Sequence, residues 1–111
     1  MRIAILVGVS EYEGSASLPA AARDVAAMQR LLEATEEYGS ILPLSGKLEA
    51  ETTKRRIMAF LEQYEKTVVD EVLFYYSGHG ALVPSGLAFA MSDYSEQRVV
   101  RGSFENEEPG G

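Results

Sequence analysis

The sequence predicts an α/β fold, a three-layer sandwich around a mainly parallel sheet. Two observations carry this. Residues 2–9, Arg2 to Val9, are an unbroken aliphatic and β-branched run, the pattern of a strand buried on both faces of a parallel sheet. After it, apolar runs and helical periodicities alternate as strand, helix, strand, helix, strand, the order of successive right-handed βαβ units. With 111 residues, 46% of them hydrophobic, the chain can build one small domain around a single core.

Each element has its own justification. Glu11 to Ser17 is polar and contains glycine, so it reads as a loop. Leu18-Pro19 then opens a helix, because proline is tolerated in a first turn. Ala22, Val25, Met28 or Gln29, and Leu32 recur at helical spacing, so a helix over 19–34 should bury one stripe. Within Gly39 to Leu44, the stretch Ile41-Leu42-Pro43-Leu44 reads as a strand that Pro43 confines to a sheet edge. Ser45 to Glu51 forms a turn. Thr52 or Thr53 can cap a second helix, whose apolar face is Ile57, Phe60, Leu61 and Tyr64. Val68 to Tyr76 makes the third strand, with Val72 to Tyr76 buried in the sheet. Gly80 to Pro84 and Gly86 to Met91 form a short hairpin around Pro84-Ser85-Gly86. The segment 102–111 is acidic and Gly-rich and reads as a tail or linker. Tyr12, Tyr38, Tyr64 and Tyr94 are expected to pack partly buried, and Met28, Met58 and Met91 to fill core space.

Composition excludes several functions. A net charge of −7 disfavours nucleic acid and anionic membrane as partners, since both call for clustered Lys and Arg. The one basic cluster, Lys54-Arg55-Arg56, reads as a solvated helix face. The absence of cysteine rules out disulfides, thiolate metal sites and a self-contained cysteine nucleophile. One histidine and no cysteine leave no transition-metal site. Gly8 to Gly14 is not a phosphate loop, because no Gly-Lys-Ser/Thr follows. The apolar start lacks a cleavage site and runs into charged sequence. No apolar run approaches the ~20 residues of a membrane span. The expected location is the cytoplasm.

Chemistry concentrates at Phe74-Tyr75-Tyr76-Ser77-Gly78-His79-Gly80. In an open α/β sheet, sites form at the carboxyl ends of strands, and this run ends one. Its histidine is the only one in the chain. An imidazole there can move a proton at neutral pH, and the flanking glycines permit unusual backbone conformations and a close approach of substrate.

This run resembles the histidine motif of the caspase, metacaspase and paracaspase superfamily. Ile3-Ala4-Ile5-Leu6-Val7-Gly8-Val9 with Tyr12 is similar to the first strand and exit of that group. Leu18 to Met28 is similar to its first helix, and Thr53-Lys54 through Ile57 to its second. The resemblance spans residues 2–93 and implies a cysteine endopeptidase. It assigns His79 as the catalytic histidine, Gly80 as an oxyanion donor through its backbone N–H, and Asp24, with Ser77 beside it, as substrate-binding residues for a basic P1 side chain. Asp24 can also be read simply as an acid near a helix N-terminus. In that group the histidine's partner is a cysteine that attacks the scissile carbonyl. Caspase spacing puts it about 50 residues after the histidine, and no cysteine follows His79.

The sequence therefore reads as the amino-terminal half of such a domain over 1–111, inactive alone. It would need a second segment carrying the cysteine, or a homodimer, to act on a peptide or protein substrate. The alternative is a catalytically dead interaction module with a binding or regulatory role. A flavodoxin-like signalling domain shares the element order, but no aspartate ends a central strand. Calcium would be implied by resemblance to calcium-dependent metacaspases. Only Asp93 stands near the expected place, and one carboxylate makes no calcium site, so no cofactor is expected.

Overall fold

A computed structural model describes residues 1–13, 16–83, 86–93 and 103–105. Its first sheet contains β1 (Arg2–Val9), β2 (Tyr38–Gly46) and β3 (Glu71–Ser77), all parallel, in the order β2-β1-β3. α1 (Ala20–Thr35) joins β1 to β2, and α2 (Ala50–Glu62) joins β2 to β3. The chain thus steps outward from β1 and then back across it. β1 holds the centre, with Leu6 opposite Pro43 on one side and Tyr75 on the other.

The alternation of β1 explains the three layers. Ile3, Ile5, Val7 and Val9 point to one side and cluster with Leu44, Leu48, Ala50 and Phe60, bringing in α2. Ala4 and Leu6 point to the other and meet Val25 and Leu32 of α1. Both faces of β1 are buried, as its unbroken apolar run requires. Pro43 lies in an edge strand, where a missing N–H is tolerated.

Several expectations shift. On α1 it is Ala21, not Ala22, that is fully buried beside Val25 and Leu32. β2 runs on to Gly46, whose φ of +99° suits glycine at the turn into α2. Neither Thr52 nor Thr53 caps α2. The helix begins earlier, and Thr53 is buried in its first turn, its N–H bonded to the Glu49 carbonyl. Met58 is exposed, one position round the helix from the inward-facing Ile57.

The largest difference concerns β3. It starts at Glu71 rather than Val68, because the Met1 amine binds the Val68 carbonyl and Asp70 N–H binds the Met1 carbonyl. It is also less buried than expected: Val72 is 49% and Phe74 44% exposed. β3 is the outer strand of its sheet, and Phe60 of α2 clusters over Ile3, Ile5 and Leu44 instead.

The hairpin forms as β4 (Gly80–Val83) and β5 (Gly86–Ala90), antiparallel, with Val83 opposite Gly86. Pro84 and Ser85 of its turn, and Tyr94, lie outside the described residues. Ser103–Glu105, from the expected acidic tail, pairs with β5 as β6. The rest of that tail lies outside the described residues.

Candidate functional site

The reversal of direction at β1 makes the carboxyl ends of β1 and β3 the topological switch point, the place where ligands bind in open α/β sheets. The last paired residues there are Gly8 and Ser77. The loop leaving β1 is fixed near both ends. Ser10 N–H donates to the Gly46 carbonyl at 3.0 Å, Leu18 N–H to the Ser10 carbonyl at 2.7 Å, and Glu13 N–H to the Ser92 carbonyl at 2.8 Å.

This loop carries two groups that meet His79. The His79 Nε2 lies 3.2 Å from the carbonyl oxygen of Ala16. A carbonyl only accepts, so the bond requires the proton on Nε2 and leaves the Nδ1 lone pair as the ring's basic site. The Tyr12 ring packs against the imidazole, centroids 4.5 Å apart and tilted 57°.

The backbone of His79 is held as well. Its N–H donates to the Tyr12 hydroxyl at 2.8 Å. The Tyr76 hydroxyl donates to its carbonyl at 2.9 Å. The two hydroxyls lie 3.3 Å from each other. Burial, and then the bond with Tyr12, push the Tyr76 phenol well above the ordinary tyrosine range, so it stays a donor. The space between them explains Gly78: a Cβ there would sit 2.5 Å from both hydroxyl oxygens.

Asp24 enters from the other side of the sheet. Ser77 Oγ donates to its Oδ2 at 2.7 Å. α1 comes this close because Gly8 has no side chain; a Cβ would lie 2.4 Å from the Ala21 carbonyl oxygen and 2.6 Å from Val25 Cγ2. The carboxylate is solvent-exposed, a placement from which it can receive a cationic group.

Asp93 has a different task. Its Oδ1 accepts from Ala50 N–H at 3.2 Å, capping the first turn of α2 from a distant segment. Ser92 assists: its Oγ accepts from Leu48 N–H at 2.6 Å, and its own N–H donates to the Leu48 carbonyl at 2.8 Å. That carboxylate is committed to the α2 terminus, and among the described residues there is no cluster of three or more His, Cys, Asp or Glu.

Of the residues singled out from sequence, Asp24 and Ser77 are directly bonded, His79 follows two positions later, and Gly80 opens β4. Sequence reasoning missed the Tyr12 and Tyr76 hydroxyls: Tyr12 was expected to pack partly buried and Tyr76 to lie buried in the third strand. Position could have flagged them, since one follows β1 and the other immediately precedes Ser-Gly-His. The Ala16 carbonyl leaves no side-chain signal at all.

A three-layer α/β sandwich with a histidine at the switch point thus defines the class. A sequence model of the caspase domain, a peptidase family, matches residues 1–106. The chain belongs to the caspase domain family. No curated protein matches the chain, and no solved structure does.

Proposed function

We propose that this chain is the histidine-bearing part of a cysteine-type endopeptidase of the caspase and metacaspase kind, with the nucleophilic cysteine supplied by another segment. The observation that carries the reading is the imidazole held by Ala16 at the end of an edge strand, with its Nδ1 available as base. His79 takes the thiol proton and delivers it to the leaving amine as the thiolate attacks the scissile carbonyl. The acyl-enzyme is then hydrolysed by water. Gly80 N–H donates to the developing oxyanion. Asp24, oriented by Ser77 Oγ, receives an Arg or Lys side chain through charge-assisted hydrogen bonds.

The 111 residues contain no cysteine, so the chain alone has no activity. Among the described residues β3 has a strand neighbour, β1, on one side only, and its other side is where a second caspase-like segment, or a second copy of the chain, would pair. The substrates are peptides or proteins, and the setting is the cytoplasm. Neither nucleic acid nor membrane is a partner, in keeping with the net charge of −7. No helix among the described residues is long and apolar enough to cross a membrane.

The test is to mix the folded chain with a cysteine-bearing caspase-like segment and follow cleavage of Arg and Lys peptides. Cleavage should appear only in the mixture, and His79→Ala should lower it by about 10²–10⁴. A folded complex without cleavage, or cleavage indifferent to His79→Ala, overturns the reading. A second reading, a catalytically dead binding or regulatory module, draws on the exposed Val72 and Phe74 beside the open edge. It requires partner binding that His79→Ala leaves unchanged.

A further inference from the structure

We propose that Tyr12 and Tyr76 are positioning residues: their hydroxyls clamp the peptide backbone of His79 and thereby hold its imidazole on the Ala16 carbonyl. The proposal rests on His79 being the working base, but its first measurement does not.

Proton counting gives the clamp a direction. Tyr76 has one hydroxyl proton and directs it to the His79 carbonyl. With the Tyr76 proton so placed, a hydrogen bond between the two hydroxyls has Tyr12 as its donor and Tyr76 as its acceptor. The Tyr12 oxygen in turn accepts from His79 N–H. That bond links the two halves of the clamp, from His79 N–H through Tyr12 and Tyr76 back to the His79 C=O. Each bond polarises the next.

The clamp joins three places in the chain. Tyr12 lies in the loop after β1, Tyr76 in β3, and His79 immediately before β4. A loop residue's two backbone groups are commonly left to water. Here both are taken by side chains of fixed origin, and the Tyr12 ring adds a face against the imidazole. With the backbone and one ring nitrogen anchored, the histidine's χ angles have little room. Gly78 fits the same account, since a Cβ at that position would collide with both hydroxyls at once.

Ordinary aromatic packing would need the rings and not the oxygens. Tyr12→Phe and Tyr76→Phe separate the two, because each removes only a hydroxyl. His79 is the sole histidine, so its ring signals in ¹⁵N-labelled full-length chain assign themselves. The wild type should show an Nε2–H proton shielded from solvent exchange by Ala16. Either Phe variant should exchange that proton and the His79 amide faster by ~5–10-fold, the worth of one net hydrogen bond. Tyr38→Phe, which removes a hydroxyl bonded to Glu71 at 2.8 Å away from the site, should change neither. The urea midpoint of each variant reports whether it folds, and the second Phe variant decides if the first does not.

Unchanged exchange at His79 in a folded Phe variant overturns the clamp and leaves the peptidase reading intact. In the reconstituted mixture, both Phe variants should lower kcat with KM unchanged. A rise in KM alone would make the tyrosines substrate contacts and overturn the positioning role. Faster exchange in a mixture where His79→Ala still cleaves would sink the peptidase reading while the clamp stands.

Discussion

Replacing Gly8 with alanine puts a methyl group where α1 meets the sheet, and the local geometry sets the size of the response. The new Cβ would lie 2.4 Å from the Ala21 carbonyl oxygen and 2.6 Å from Val25 Cγ2. Comfortable contact needs ~3.5 Å, so α1 must recede by about 1 Å. Neither neighbour yields easily, because one is helix backbone and both residues are buried. Two effects oppose each other. Removing a glycine from the unfolded chain favours folding by about 0.4–1 kcal/mol. Overpacking a filled interface costs about 1–3 kcal/mol. At their midpoints, about 2 against about 0.7 kcal/mol, the second wins by about 1.3 kcal/mol, lowering Tm by roughly 5–10 °C for a domain of this size. The same recession carries Asp24, which lies between Ala21 and Val25 on α1. It would stretch the 2.7 Å Ser77–Asp24 bond beyond hydrogen-bonding range, while the His79 ring contacts, made by Tyr12 and Ala16 of β1's exit loop, stay in place. Thermal unfolding by circular dichroism and the His79 ring signals read the two effects separately. An alanine variant as stable as wild type, or one that loses the Ala16 contact before the stability, would refute the close approach of α1 as the reason for Gly8.

Two further outcomes are expected. Asp93→Ala removes the remote cap on α2 and should cost about 0.5–2 kcal/mol in urea unfolding, whereas Asp93→Asn, which keeps an acceptor for Ala50 N–H, should stay near wild type. The hydrogen bond from the Met1 ammonium, and then its charge, hold the Asp70 carboxyl below the usual carboxylate range. A folded-state value below the unfolded one adds stability that is present above about pH 4 and is lost as pH falls through the folded value. The stability gap between wild type and Asp70→Asn should therefore be flat near neutrality and close in acid. A gap that widened as the pH fell would contradict this pairing.

Legibility followed physical scale. Strong periodic signals were readable: β1's unbroken run, the stripe of Val25 and Leu32, the α2 face around Phe60, and Pro43 at an edge. What failed depended on partners far off in the chain. Thr52 and Thr53 look like caps because capping is usually local, yet the α2 terminus is served by Asp93, 43 positions away. The burial expected for Val72 and Phe74 assumed a covered strand, and strand composition does not say which strand lies at an edge. At the site, His79 and Asp24 stood out in the sequence by residue type and by their places after a strand and near a helix start. Tyr12 and Tyr76 did not, because an aromatic ring near a strand end has an adequate explanation in packing. Their oxygens acquire meaning only when β1's exit and β3's end come together.

The attachment of Met91 to Asp93 has a mechanical consequence. The β4–β5 excursion leaves the main sheet immediately after His79 and returns to a point where Met91 is fully buried and Ser92 is tied to Leu48 and Glu13. Both feet of this arm are therefore anchored independently of its length. The fixed points of the arm thus lie at its base, in the clamp on His79 and in the ties of Ser92 and Asp93 to Leu48, Glu13 and Ala50.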